Sequence, residues 1–430
     1  MHTYACQTTA VIILSWILHP SCSSTECFLR RRGATGRCVS DLAERMAAIG
    51  WRVTVVADGC GPSDAPPGVT VRRTGGGRPP DVGAGGRDAR LTARGYLAAA
   101  VRLIQRALRL PRHDVVVTMT DPPLLACAGP LIAARHGAAS IHWSQDVFPA
   151  LLPVLGIRLP EPLMRMTEVA SARALRRHDA VVAIGRCMAG RLAAAGVPAE
   201  RITVLPNWPD PRIRPVPRAD NPFRLEHGLG NRFTVAYSGN MGLAHPMDAV
   251  LDAATLLARS DSTVEIVLIG EGRRRAAVAE AVERRGLPNV RLLPLQPPDR
   301  LAESLSAADL HLATMDPRAE GLLVPSKVAG ALAAGRPCLF LGPAGSDAAA
   351  MLDGCGQRLA PDDAAGLAGA IRRYALDPAL CAEHGARALA VASAWDATAA
   401  ARRFAALAGA LRQTGLRGAS VLPGRSLPHA

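Results

Sequence analysis

Short apolar runs alternate along the chain with longer stretches whose apolar residues recur at helical spacing. The runs predict strands at 11–18, 53–57, 115–119, 139–143, 180–184 and 202–205, and a second series at 233–237, 264–269, 290–293, 310–314 and 338–342. A continuous run such as Val53-Thr54-Val55-Val56 suits a strand buried on both faces. Between the runs lie Ala/Arg/Leu segments such as 38–49 and 186–195, which read as helices. This alternation predicts an α/β chain with parallel sheets covered by helices.

The two series are separated by Pro206-Asn207-Trp208-Pro209-Asp210-Pro211 and then Pro215, Pro217 and Pro222. Proline at that density excludes helix and central strand. The expected organisation is an N-terminal Rossmann-like domain over 1–207, a linker over 208–222 and a second Rossmann-like domain over 223–398. A C-terminal helix over 399–418, able to cross back to the first domain, and a disordered tail over 419–430 complete it. Residues 61–89, rich in Gly, Pro, Asp and Arg, read as a surface loop near the cleft. Two such domains bind ligands at the carboxyl ends of their strands, so function is expected in the loops there.

Composition narrows the classes. The net charge is +14, and of 50 basic residues one is lysine, Lys327, the rest arginine. The basic surplus is spread along the chain without interleaved aromatics, which argues against a nucleic-acid partner. Ten scattered cysteines form no CxxC pair, so no zinc site is expected, and a large Cys-containing α/β chain reads as cytosolic with reduced thiols. No apolar run is long enough to span a membrane. Residues 11–18 have the length of a signal-peptide core, but no basic segment precedes them and His19-Pro20 follows. A buried first strand is the better reading.

Three strand ends in the second domain carry candidate chemistry. Ser238-Gly239-Asn240-Met241-Gly242 follows a strand, and glycine there lets backbone approach a ligand closely. A helix expected from about Pro246 would aim its amides at an anion; a plain tight turn is the alternative. Leu268-Ile269-Gly270-Glu271-Gly272 runs into Arg273, Arg274 and Arg275, cations at a helix start where acids are usual. Either a bound anion or a solvated helix start accounts for them. The strongest signal is Glu320-Gly321-Leu322-Leu323-Val324-Pro325-Ser326-Lys327. Pro325 and Ser326 suit a helix start, and Gly335 with Pro337 ends that helix. Lys327 then falls in the first turn, where a cation is disfavoured unless an anion shares the site. A lone Lys in an Arg-rich chain marks either chance or a narrow pocket that rejects guanidinium.

These residues resemble the family 4 retaining glycosyltransferases, in particular the branch involved in colanic acid and O-antigen sugar transfer. The resemblance runs from about residue 33 to 412. Its pieces include the stretch from Gly33 to Glu44, Thr120-Asp121-Pro122-Pro123, His142 to Pro149, Val204 to Trp208, Tyr237 to Gly242, Gly270-Glu271-Gly272, Val324 to Lys327 and Ala333 to Pro337. It implies a GT-B fold, a nucleotide-sugar donor, a retaining outcome, no cofactor and no essential metal. The donor-binding set becomes Gly239, Asn240, Gly242, His245, Gly272, Arg273, Pro325, Ser326 and Lys327. Many members carry an Arg and a Lys where Asn240 and His245 stand here, which throws more of the phosphate binding onto Lys327 and the arginines after Gly272. Glu320 corresponds to a glutamate that holds donor-sugar hydroxyls; as a bare sequence feature it is equally a solvated loop acid. A second family glutamate falls on Gly330. Residues 19–32 match the family's Gly-rich first loop poorly.

The function implied is glycosyl transfer to a lipid-linked saccharide in cell-surface polysaccharide synthesis. The rivals are a nucleotide-sugar epimerase on the same fold and a degenerate, non-catalytic assembly partner. His142 and Asp146 would orient acceptor or donor sugar, against readings as a packed strand-end histidine and a helix cap. The basic amphipathic stretch 90–112 fits either a solvated domain helix or a helix lying on the anionic inner membrane face.

Overall fold

The computed structural model describes residues 9–14, 34–59, 65–75, 89–260 and 263–419. Thirteen strands form two parallel sheets among these residues. The first holds β1 (Thr9–Leu14), β2 (Arg52–Ala57), β3 (Val69–Arg73), β4 (Val115–Met119), β5 (Ala139–Ser144), β6 (Ala180–Ala183) and β7 (Ile202–Val204), in the order β3-β2-β1-β4-β5-β6-β7. The second holds β8 (Phe233–Ser238), β9 (Val264–Ile269), β10 (Val290–Leu293), β11 (Leu310–Thr314), β12 (Cys338–Leu341) and β13 (Gly356–Leu359), in the order β10-β9-β8-β11-β12-β13. In both, the order reverses beside the first strand of the sheet, and that switch point opens a crevice at the carboxyl edge.

The helices of the first half are α1 (Ala34–Ala48), α2 (Ala89–Leu108), α3 (Gly129–His136), α4 (Glu161–Leu175) and α5 (Arg186–Ala194). Those of the second are α6 (Pro222–Glu226), α7 (Asp248–Ala258), α8 (Arg275–Arg285), α9 (Leu301–Ser306), α10 (Ser326–Ala333), α11 (Asp347–Ala350), α12 (Ala364–Leu376) and α13 (Pro378–Ser393). The last, α14 (Ala397–Ala419), returns to the first sheet. Strands β4, β9 and β11 are buried at every position, the polar Thr118, Glu265, His311 and Thr314 included.

Two strands depart from expectation. Residues 61–89, read as one loop, contain β3, whose Val69 and Val71 are buried while Thr70 and Arg72 are exposed. β13 exposes Gln357 and Arg358. Both are edge strands covered on one face, so they lack the continuous apolar run that reveals an interior strand. Residues 15–18, the altered stretch 19–32 and the tail 420–430 lie outside the described residues.

The proline-rich linker is anchored. Trp208 is buried against Trp143 of β5, with ring centroids 6.1 Å apart, and its indole N–H donates to Asp41 of α1. Phe404 of α14 closes the same cluster 5.5 Å from Trp143. Arg45 donates to Thr398 at 2.7 Å, and Arg403 to the Val204 carbonyl at 3.3 Å. The chain's last described helix thus completes the core of its first domain. Truncating Phe404 to Ala leaves a cavity in a fully buried aromatic cluster. It is expected to cost about 3–5 kcal/mol of first-domain stability, read as a shift of the denaturant midpoint followed by tryptophan fluorescence.

Candidate functional site between the sheets

The β8 and β9 carboxyl ends interlock. Gly239 N donates to the Ile269 carbonyl at 2.8 Å, and Met241 N to the Glu271 carbonyl at 2.7 Å. Gly272 has φ +137°, and a β-carbon there would run into Asn240 Oδ1 and the Met241 carbonyl. Gly239, at φ +133°, packs against the stem of Lys327, whose Cε would be 3.1 Å from a β-carbon at that glycine. Gly242 accepts from the His245 amide at 3.0 Å, closing the turn. The following helix, α7, starts at Asp248, slightly later than expected.

Lys327 enters from α10. Pro325 is the helix's N-cap in extended conformation and carries no side-chain cap; Ser326, the first helical residue, is exposed. The first amides of α10 are therefore left without a capping side chain. The Lys327 ammonium sits 5.1 Å above the Tyr237 ring centre, and among the described residues no carboxylate pairs with it. Burial lowers its pKa to about 7. His245 is buried beside it, with Nδ1 2.6 Å from the Thr314 carbonyl. Burial first, and then the Lys327 charge, hold its pKa down at about 3, so the ring is neutral. Bound to a carbonyl, Nδ1 carries the proton and Nε2 is left as an acceptor.

Of the three consecutive arginines, Arg273 is exposed. Arg274 turns inward: its amide donates to the Met241 carbonyl at 3.0 Å and Nη2 reaches the Leu243 carbonyl at 3.4 Å. Its Nε is buried without a hydrogen-bond partner, as is Thr314 Oγ1. Arg275 is tied back to the Gly270 carbonyl at 3.0 Å. The inward cation of the run is thus Arg274, and α8 begins one residue after it. Sequence reasoning did not separate it from Arg273, because that depends on how the Gly272 backbone turns.

The first domain meets this edge through residues 147–155. Val147 N donates to the Leu322 carbonyl at 2.8 Å, and Leu151 and Val154 join Ala244, Met315, Leu322 and Val328 in one apolar cluster. Asp146 therefore lies at the seam. Its backbone is held by Thr120, whose Oγ1 accepts from the Gln145 and Asp146 amides at 3.2 and 3.3 Å. Its carboxylate has no partner among the described residues, and burial raises its pKa to about 6. No helix begins directly after it, so it does not act as a helix cap. His142 points elsewhere: it is buried within the sheet, with Nδ1 3.1 Å from Thr118 Oγ1 and its ring 5.6 Å from that of His178. The structure does not bring it to the seam. Glu320 does reach the seam, its carbonyl accepting from Arg191 of α5 at 3.1 Å and its carboxylate lying over Gly345.

Beside α10 a small open crevice is lined by Arg37, Asn207, Asp210, Ser326 and Gly330, among others. Gly330, where the family resemblance expects a glutamate, opens part of this wall. Among the described residues no group of three or more His, Cys, Asp or Glu side chains is placed to hold a metal ion.

Comparisons with known proteins agree with this architecture. Residues 33–208 match the family model described as a glycosyl transferase 4-like domain, and residues 232–377 that of glycosyl transferases group 1. The chain is 30% identical over 221 residues to WcaI of Escherichia coli, named as a colanic acid biosynthesis glycosyl transferase. That match covers 50% of this chain and 54% of WcaI, about half of each. It is 28% identical over 285 residues to the glycosyltransferase WbjE of Pseudomonas aeruginosa, covering 63% of this chain and 67% of that protein. Among solved structures, Anabaena HepE in complex with UDP and glucose superposes with a TM-score of 0.68 at 18% identity, over 94% of this chain and all of HepE. WaaG, a glycosyltransferase involved in lipopolysaccharide biosynthesis, gives 0.64 at 18% identity, over 93% of this chain and 99% of its own. With both domains matched in order and the two parallel sheets arranged as in these neighbours, the chain belongs to the family 4 glycosyltransferases of GT-B fold.

Proposed function

We propose that this chain is a retaining glycosyltransferase that moves a sugar from a nucleoside-diphosphate donor to a lipid-linked saccharide in cell-surface polysaccharide synthesis. The observation that carries the donor reading is Lys327: an ammonium with no counter-ion among the described residues, at the uncapped start of α10, over a glycine turn. Such a place is stable for a cation when an anion completes it. Arg274, with Nε unpartnered and Nη1 4.0 Å from Asp248, supplies a second inward cation. The UDP bound by HepE supports the same ligand class here.

In this reading the anomeric C–O bond to the diphosphate breaks as an acceptor hydroxyl oxygen bonds to the anomeric carbon from the same face, its proton passing to the leaving phosphate oxygen. Charge accumulates on the leaving phosphate oxygens, where Lys327, Arg274 and the α10 amides meet it. One well-placed donor of this kind contributes about 3 kcal/mol to the transition state. Glu320 would hold sugar hydroxyls from the other side, and Asp146 would orient the acceptor hydroxyl. The sugar enters as part of the substrate, and protein cations and amides balance the diphosphate charge.

The acceptor domain offers a face for its lipid. α2 exposes Leu97 and Val101 beside Arg94, α3 exposes Leu131, and α4 exposes Leu163, Met166 and Val169 along one side. Part of the amphipathic stripe read from the sequence serves the fold instead: Ile104 and Leu108 pack against the first domain's core, and Arg102 is bound to Asp58 at 2.6 Å. A peripheral contact with anionic lipid through the exposed set fits its mixture of apolar and arginine side chains. Neutralising Arg94, Arg109 and Arg135 together is expected to reduce co-sedimentation with vesicles containing anionic lipid, and equal sedimentation would exclude this docking.

Two titrations test the site. Lys327 must be charged to bind a diphosphate, and its pKa near 7 is set by burial. Affinity for the tightest binder among UDP, GDP and dTDP is therefore expected to fall as pH rises from 7 to 9. Lys327→Ala should weaken it about 10- to 100-fold and flatten that slope, both measured calorimetrically. Asp146 has its pKa raised from 3.8 to about 6. The folded chain thus holds this proton more tightly than the unfolded one, and the associated stability is lost as pH rises through 6. Asp146→Asn is expected to be more stable than the native chain at pH 7.5, with the gap closing toward pH 4, while glycosyl transfer falls about tenfold or more.

A further inference from the structure

Helix α5 carries no cap of its own. Its N-cap residue is Gly185, extended at φ −163° and ψ 162°, which has no side chain to accept from the first-turn amides. The acceptor comes from the other domain. Asp347, 8% exposed at the start of α11, accepts from the Arg186 amide through Oδ1 at 2.8 Å and from the Cys187 amide through Oδ2 at 3.0 Å. The Arg186 guanidinium adds a longer pairing at 3.7 Å. The fit requires glycine at 185, because a β-carbon there would run into the Asp347 carboxylate.

The same turn of α5 is gripped on its other side. Cys187 Sγ donates to the Gly345 carbonyl at 3.0 Å, and Arg191 Nε to the Glu320 carbonyl at 3.1 Å. Gly321, at φ +72°, leaves room for Arg191 and for the Cys187 carbonyl. Of these contacts, those of Glu320 and Gly321 belong to the loop 320–325, which leads into Lys327, and that of Gly345 to the segment before α11. A carboxylate accepting two main-chain amides at a helix N-terminus is a charge-assisted cap, stronger than a neutral one. Here the capped helix belongs to one domain and the cap to the other.

We infer that Asp347 is a positioning residue of the transferase: its carboxylate caps α5 across the seam, so closure of the two domains and ordering of the 320–327 donor loop are one event. When the domains part, the Arg186 and Cys187 amides lose their acceptor and turn to water, and the loop loses its rest. The inference depends on the interdomain geometry and not on the identity of the donor.

Two variants test it. Asp347→Ala removes the cap. Gly185→Ser supplies α5 with a cap inside its own domain and displaces the Asp347 carboxylate, while the extended backbone at 185 accepts serine without strain. Both are expected to give a larger radius of gyration in small-angle scattering than the native chain, with and without UDP. Amide exchange at Arg186 and Cys187 should quicken at least about tenfold in Asp347→Ala, whereas in Gly185→Ser the Cys187 amide, which an N-cap hydroxyl reaches, should stay slow. The thermal midpoint of Gly185→Ser should match or exceed the native value, which separates loss of closure from loss of fold. Native-like scattering by both variants would overturn the inference, as would native exchange at Arg186 and Cys187 in Asp347→Ala. If UDP fails to bind the native chain, the donor reading falls and the scattering comparison still decides this one.

Discussion

A parallel sheet buried on both faces leaves one place for chemistry, the loops at its carboxyl edge. This chain contains two such sheets, with β4, β9 and β11 covered at every residue. Every polar feature of the seam follows from that constraint. Gly239, Gly272, Lys327, Asp146 and Asp347 all lie in loops or first helical turns at those edges. The helices supply aligned amides there, and the interior supplies the low polarity that makes each charge costly. Lys327 and Asp146 feel this in opposite directions: burial lowers the one and raises the other.

The seam is also an economy of charge. The net charge of +14 could have filled it with guanidinium groups. Most nearby arginines are instead engaged, Arg275 with the Gly270 carbonyl, Arg191 with that of Glu320 and Arg318 with Asp316. His245 remains neutral. The positive charges facing the glycine turns are Lys327 and Arg274, the latter also 4.0 Å from Asp248; they come from different loops and would reach a diphosphate from two sides. Many family members place both cations on one loop, at the positions of Asn240 and His245 here. The present arrangement makes the phosphate end of the site depend on α8 and α10 being correctly docked on the sheet.

Much of this was legible in the sequence for physical reasons. Interior strands announce themselves as mainly apolar runs, and β4, β6, β9 and β11 fall where those runs are, the last two in spite of Glu265 and His311. β3 and β13 were hidden because an edge strand covered on one face needs only two or three apolar positions, and Gly/Pro-rich surroundings mask them. Lys327 stood out because it was the single ammonium in an arginine background. The sequence pointed to Arg273 where the structure turns Arg274 inward, because nothing local distinguishes two adjacent arginines whose directions are set by the backbone at Gly272. Asp347 could not be found at all from its neighbours in sequence. The amides it caps are 160 residues away, and the signal at the receiving end is an absence, a glycine where a capping side chain would be usual.

The return of α14 to the first domain has a consequence for the order in which the molecule is made. Trp208 leaves the ribosome about two hundred residues before Phe404, which closes the cluster, and Trp143 earlier still. At synthesis rates of about 5–20 residues per second, that is a delay of roughly 10 to 40 seconds. For that interval the first domain exists with an open apolar groove beside α1, and the second domain can fold before the first is sealed. Helix α14 then acts as a lock set last, so a chain cut short before it carries its donor-site residues in a second domain joined to a first domain whose core is still open.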